Sequence, residues 1–250
     1  MNGELFDSTI PFGEPELLKA SAYRRYLAEL EADVAAGRAG APLSQLSPSL
    51  QADLWRHEQR HGSYEVVEVV AACIRHSSRV TIHLQCAERV VPLTVFPRER
   101  LVHSPMEIGE LIDRHLPHVQ VLDLEPAMLR PPGDKAHDLV GEARLHHPLT
   151  PLLWALAMRG PRRELLPEIA APAVYRVSPA LDLTTLPLSG ALRAAIDRLR
   201  HQTVSLTALA AWPAFDRERA VRLLNALYLQ SGLIVSRSHP DAVRESWFGN

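Results

Sequence analysis

Two cysteines in 250 residues, Cys73 and Cys86, are too few for a disulfide framework and point to a reducing compartment. An excess of one charge is missing as well. The chain carries 27 basic and 29 acidic residues, a net charge of −2, which excludes a general electrostatic attraction to nucleic acid or anionic membrane. No apolar run approaches the roughly 20 residues that a membrane span needs. The opening stretch MNGELFDSTIPFGEPE has neither a basic region nor an apolar core of signal-peptide length. A cytoplasmic protein without membrane contact is the expectation. Lysine is nearly absent: Lys19 and Lys135 stand alone beside many arginines, a bias that, with abundant Ala, Pro and Leu, fits GC-rich bacterial coding. The signatures G-x-S-x-G, Walker A and G-x-G-x-x-G do not occur, which lowers the odds of an enzyme without excluding one, since sites built from distant residues leave no such trace. No internal repeat is visible.

What is present is an ordinary globular composition, 46% hydrophobic and 22% charged, enough to bury a core. The patterning predicts an α+β fold: a helical N-terminal segment (1–62), a small mixed β-sheet with packed helices (63–130), and a mainly helical C-terminal half (145–250) ending in a winged-helix-like unit at 186–240. In the first part, Pro15 opens a helical stripe through Tyr23, Tyr26, Leu27, Leu30 and Val34 that Gly37 ends, and Ser47-Pro48 opens a second helix to about Arg60. Glu65–His76 is almost solidly apolar and reads as a buried helix. Arg79–Cys86 alternates, with Val80, Ile82, Leu84 and Cys86 inward and Thr81, His83 and Gln85 on a wet face. Val90–Phe96 is a second strand in which Pro92 argues for an edge or a bulge. Leu101–His103 is a short strand, Met106–Leu116 a helix and Val119–Leu124 a strand, leaving room for one β-α-β crossover. LRPPGDKAHD is a linker. Thr150-Pro151 opens a very apolar helix closed by Gly160-Pro161, followed by a short helix over Arg162–Ala170 and a strand over Ala173–Val177.

The last third shows three helix patterns, Ser189–Gln202, Ser205–Trp212 and Asp216–Ser231, then a strand at Leu233–Val235. Ser205 and Asp216 are natural N-caps. This order occurs both in DNA-reading helix-turn-helix proteins and in domains that bind only proteins. From Leu186 onward there are eight Arg, no Lys and five acids, so the end of the chain is mildly basic. On the third helix Ala220, Val221, Leu224, Leu227 and Tyr228 form the inward stripe. Arg217, Arg219, Arg222 and Asn225 face outward with Glu218 and are the candidate contacts to DNA or to a protein partner. Against DNA stand the acids Asp216 and Glu218 at the leading end and the apolar Leu223, Ala226 and Leu229. The final strand also lacks a partner to complete a basic wing. Trp247-Phe248 is a terminal aromatic pair suited to docking on the body or on a partner.

One further motif carries chemistry. His57-Glu58-Gln59-Arg60-His61 matches H-E-x-x-H, which on a helix sets His57 and His61 to share a zinc ion with Glu58 as general base. It resembles the zinc-peptidase signature over those five residues. That resemblance implies a zinc-dependent hydrolase, but Arg56 and Arg60 put cations beside the site and the third ligand is open among Glu65, Glu68 and Glu88. His83, His103, His115, His118, His146 and His147 could add scattered ligands, with structural or solvent histidines as the default. The expectation is therefore a non-enzymatic, cofactor-free regulatory or adaptor protein that contacts another protein or a second copy of itself. A DNA-binding regulator and a zinc hydrolase are its rivals.

Overall fold

The computed structural model describes residues 17–37, 46–61, 64–132 and 143–237. Pro15, most of the LRPPGDKAHD stretch, Ser238–Asn250 with Trp247-Phe248, and the side chains of His57, Arg60 and His61 lie outside the described residues. The architecture is α+β, with two antiparallel sheets and helices packed around them. No helix among the described residues is long and apolar enough to cross a membrane.

Local signals place most elements. Helix α1 (Ala20–Ala35) ends beside Gly37, whose φ of 70° is the left-handed conformation that glycine adopts without a Cβ penalty. Helix α2 (Pro48–His61) packs by Leu50 and Leu54 against α3 (Val66–His76), whose residues Val66 to Cys73 are all buried. Strands β1 (Val80–Cys86) and β2 (Arg89–Phe96) pair in the register Val80↔Val95 to Cys86↔Arg89. Strand β3 (Leu101–His103) pairs only with Thr94–Phe96 of β2, so Pro92 sits where β2 has no β3 neighbour and its missing N–H is tolerated. The helical stretch α4 begins at Ile108–Glu110, widens to a π-turn at Leu111–His115 and tightens to 3₁₀ at Leu116–His118. Leu111 and Leu116 are buried and Ile108 and Ile112 pack against the core, as the spacing predicts. Strand β4 (Gln120–Pro126) then pairs with β1.

The sheet differs from expectation in two ways. Its order is β4-β1-β2-β3-β5, with β5 at His146–Pro148, and every pairing is antiparallel, so it is not mixed. Among the described residues there is no β-α-β crossover, because α4 carries the chain from β3 to the far edge, where β4 runs against β1. The supposed wet face of β1 is also covered. Thr81 and Thr94 are buried and their hydroxyls lie 3.0 Å apart, while Tyr23 from α1 stacks on His83 with ring centroids 4.9 Å apart.

The second half is built on α5 (Leu149–Arg159), buried from Leu149 to Ala157 except at Thr150 and Pro151. It packs on α3 and on α8 (Arg217–Leu229). Strand β6 (Val174–Val177), helix α6 (Gly190–His201), strand β7 (Val204–Ser205), helix α7 (Leu206–Ala210) and strand β8 (Leu233–Ser236) complete it. The predicted caps form: Ser205 accepts from the Ala208 N–H at 3.2 Å, and Asp216 from the Arg219 N–H at 2.7 Å. Strand β8 does have a partner, supplied from upstream, since β6 lies at the centre of a β7-β6-β8 sheet. The central strand of this sheet thus enters ahead of α6.

The expected helix over Arg162–Ala170 is a run of turns. Pro161 and Pro167 interrupt the helical N–H series. The backbone there is satisfied by side chains instead: Arg162 donates to the carbonyls of Glu164 and Leu165, and Asn225 accepts from the Leu166 N–H. The larger cluster of buried apolar side chains runs from Leu46 to Leu229, and a smaller one joins Ala20, Tyr23 and Val90.

Candidate functional site

The outward face assigned to α8 is drawn into the fold at Arg222 and Asn225. Asn225 is buried, with its amide oxygen 2.9 Å from the Leu166 nitrogen and its amide nitrogen 2.9 Å from the Glu164 carbonyl. Arg222, its side chain 15% exposed, donates to the carbonyls of Met158 at 3.0 Å and Gly160 at 2.9 Å, closing the C-terminal end of α5, and also meets Glu218. Arg219 donates to the Ala214 carbonyl at 2.8 Å and lies over the Phe215 ring. Arg217 alone of the four is a plain exposed cation at the helix start. Of the three arginines, Arg222 is thus turned onto the end of α5 and Arg219 onto the Ala214–Phe215 turn, while Arg217 stays exposed. The sequence signal for this lay in Leu223, Ala226 and Leu229, all buried, which make α8 apolar nearly all round.

The H-E-x-x-H stretch is helical, as expected, and Glu58 is exposed with the Tyr64 hydroxyl 2.9 Å from its Oε2. The proposed third ligands are engaged elsewhere. Arg162 Nη1 lies 2.6 Å from Glu65 Oε2 and 2.7 Å from Glu68 Oε1, and Glu88 sits in the β1–β2 turn. The histidines are dispersed: His83 lies under Tyr23, His103 packs edge-on to His146 at 5.0 Å across β3 and β5, and His115 and His118 belong to α4. Among the described residues no group of three or more His, Cys, Asp or Glu side chains is placed to hold a metal ion. Both thiols are buried, and burial pushes each up to about 12, so neither is poised as a nucleophile.

Two charged clusters escaped the reading of the sequence. Glu68 is a lone acid in the apolar run of α3, and full burial of a carboxylate demands a cation, which Arg162 supplies from 94 residues away. Asp53 on α2 collects His76 Nε2 at 2.6 Å, Arg75 Nη2 at 3.0 Å and Arg56, while Arg75 also reaches Glu168. Burial by itself raises the Asp53 carboxyl, but the hydrogen bond from His76 and the charges of Arg75 and Arg56 outweigh it and hold the group below its ordinary value. A depressed folded pKa contributes stability that is present above the unfolded value of about 4 and is lost as pH falls through the lower folded value. Asp53→Asn is accordingly expected to flatten the acid limb of a Tm-versus-pH curve below about pH 4. An acid slope equal to that of the parent protein would remove this cluster as its source.

A third constellation lies between α5, β6 and the end of α8. There Arg100, Thr150, Ser178, Asp182, Gln230 and Ser231 line a cleft of about 390 Å³. Comparison of the chain with family models, with curated proteins and with solved structures gives no match.

Proposed function

We propose that this is a non-enzymatic regulatory or adaptor protein that works through contacts with another protein. The observation that carries this is the fate of α8. A recognition helix presents its polar side chains to base edges and phosphates, whereas here Asn225 and Arg222 are spent on the carbonyls and amide of neighbouring loops. Large apolar side chains do reach solvent, among them Trp55 on α2 at 61% exposure and Ile234 on the outer strand β8 at 49%. Aromatic and aliphatic groups of this kind anchor protein interfaces.

Titration of the full chain with a random-sequence duplex separates this from the DNA-binding alternative. Binding at physiological salt is expected to be weaker than about 10⁻⁴ M, with little change in Arg217→Ala. Steeply salt-dependent binding in the range of about 10⁻⁴–10⁻⁶ M or tighter that falls at least tenfold in Arg217→Ala would overturn the proposal. Cross-linking in cells supplies the positive arm. A partner, or a second copy of the chain, should be held by the parent protein and released by a Trp55→Ser/Ile234→Ser double variant; identical cross-link patterns in the two would count against these surfaces.

A further inference from the structure

Among the described residues Arg100 is an arginine without an acid. It ends the turn after β2 with φ of 56°, the left-handed region that a non-glycine residue enters at a cost of roughly 1 kcal/mol or more. Its carbonyl accepts the Leu149 N–H at 2.9 Å, which ties the turn to the start of α5. The guanidinium is carried toward the C-terminal end of α8, where Nη2 donates to Gln230 Oε1 at 2.6 Å and reaches Thr150 Oγ1 at 3.5 Å. Gln230 is buried and held in that pose by its own amide nitrogen, 3.0 Å from the Thr150 carbonyl. Among the described residues no carboxylate lies within ion-pair distance of Arg100. Burial draws its pKa down, the mark of a cation short of compensating charge.

The cleft beside it has the size of a small-molecule site. Gly232 and Leu181 are part of its wall, packed so closely that a Cβ on Gly232 would stand 2.3 Å from Leu181 Cδ2. Thr150, Ser178 and Ser231 bring hydroxyls to the lining, and Asp182 brings the acid. The Thr184 N–H and the Thr184 hydroxyl hold the Asp182 carboxyl below its ordinary value, so it is ionised at neutral pH. One small cleft thus carries a positive group that only neutral acceptors meet and a negative group on its rim.

We propose that this cleft binds a small zwitterion with the chemistry of a free amino acid, its carboxylate on the Arg100 fork and its ammonium on Asp182. A guanidinium presents paired donors that match the two oxygens of a carboxylate. A dianionic phosphate fits less well, because Asp182 repels it. The site is independent of the contact role proposed above. Its rival is purely structural: Arg100 as a staple joining the β2–β3 turn to α5 and α8.

The test uses the full chain, with the proteinogenic L-amino acids, acetate, methylammonium and inorganic phosphate as probes, read by calorimetry and by thermal shift. At least one amino acid is expected to bind and to raise the Tm, with acetate and methylammonium much weaker. Arg100→Gln and Asp182→Asn should each weaken that binding about tenfold or more, the worth of one charge-assisted hydrogen bond. Asp182 is exposed, so Asp182→Asn should retain the parent Tm and keeps the test sound should Arg100→Gln fold poorly. Binding of no amino acid, a lowered Tm in Arg100→Gln without any ligand effect in the parent, or phosphate binding that Asp182→Asn strengthens would each overturn the proposal.

Discussion

Arg162→Met is expected to destabilise the protein by about 3–5 kcal/mol in urea denaturation, or roughly 6–20 °C in Tm. The cause is the company Arg162 keeps. Glu68 is fully buried on α3, and the Arg162 side chain is only 7% exposed. Its Nη1 serves Glu68 and Glu65, while Nε and Nη2 each lie 2.9 Å from a carbonyl, those of Glu164 and Leu165. Removing the guanidinium strands a carboxylate in a low-dielectric interior and takes the side-chain donor from the Leu165 carbonyl, while that of Glu164 keeps Asn225. Glu65 is partly exposed and can turn to water; Glu68 cannot. The ordering of variants is therefore the sharper readout. Glu65→Gln should cost under about 1 kcal/mol, close to an exposed pair. A double Arg162→Met/Glu68→Met should recover most of the loss, because an apolar pair of similar volume replaces a buried ion pair at little cost. A single Arg162→Met that costs less than about 1 kcal/mol would show that Glu68 is not enclosed as described.

Asn225→Ala is expected to cost about 2–4 kcal/mol. Two hydrogen bonds are lost and both partners stay buried or half-enclosed, since Leu166 is fully buried and its N–H has no route to water. Had Asn225 faced a ligand or a duplex, its removal would leave folding stability nearly unchanged and reduce binding alone. Arg217→Ala makes the contrast: it sits on an exposed first turn and should stay within about 0.5 kcal/mol of the parent. Because Arg162 and Asn225 both donate to the Glu164 carbonyl, the double variant should lose less than the sum of the two singles. Additive losses, or an Asn225→Ala protein as stable as the parent, would contradict the placement of α8.

These two side chains also show where sequence patterns run out. Helical spacing put Asn225 and Arg222 on the face opposite Leu224 and Leu227, which is correct for the helix taken alone. What periodicity cannot register is that a second surface covers that face: the turns of 161–170 and the end of α5. The same turns were misassigned for the mirror-image reason. Their apolar and charged residues carry a helical spacing, but Arg162 and Asn225 satisfy the backbone in place of helical hydrogen bonds. Glu68 is the instructive intermediate. An acid inside Val66–Ile74 announces that some cation must come to it, yet nothing near it in the chain says which.

Outside the turns of 161–170, most element types and their caps were set within the chain itself, because they depend on neighbours a few residues apart: Ser205 on Ala208, Asp216 on Arg219, Gly37 at the close of α1. The antiparallel order of the larger sheet, the seat of β6 between β7 and β8, and the partners of Glu68, Asn225 and Gln230 were decided only in three dimensions. Arg162 finds Glu68 across 94 positions, Asn225 finds Leu166 across 59, and Arg100 finds Gln230 across 130. No local period encodes such separations. They follow from the packing of whole elements, and it is that packing that gathers Arg100, Thr150, Asp182 and Gln230 around one cleft.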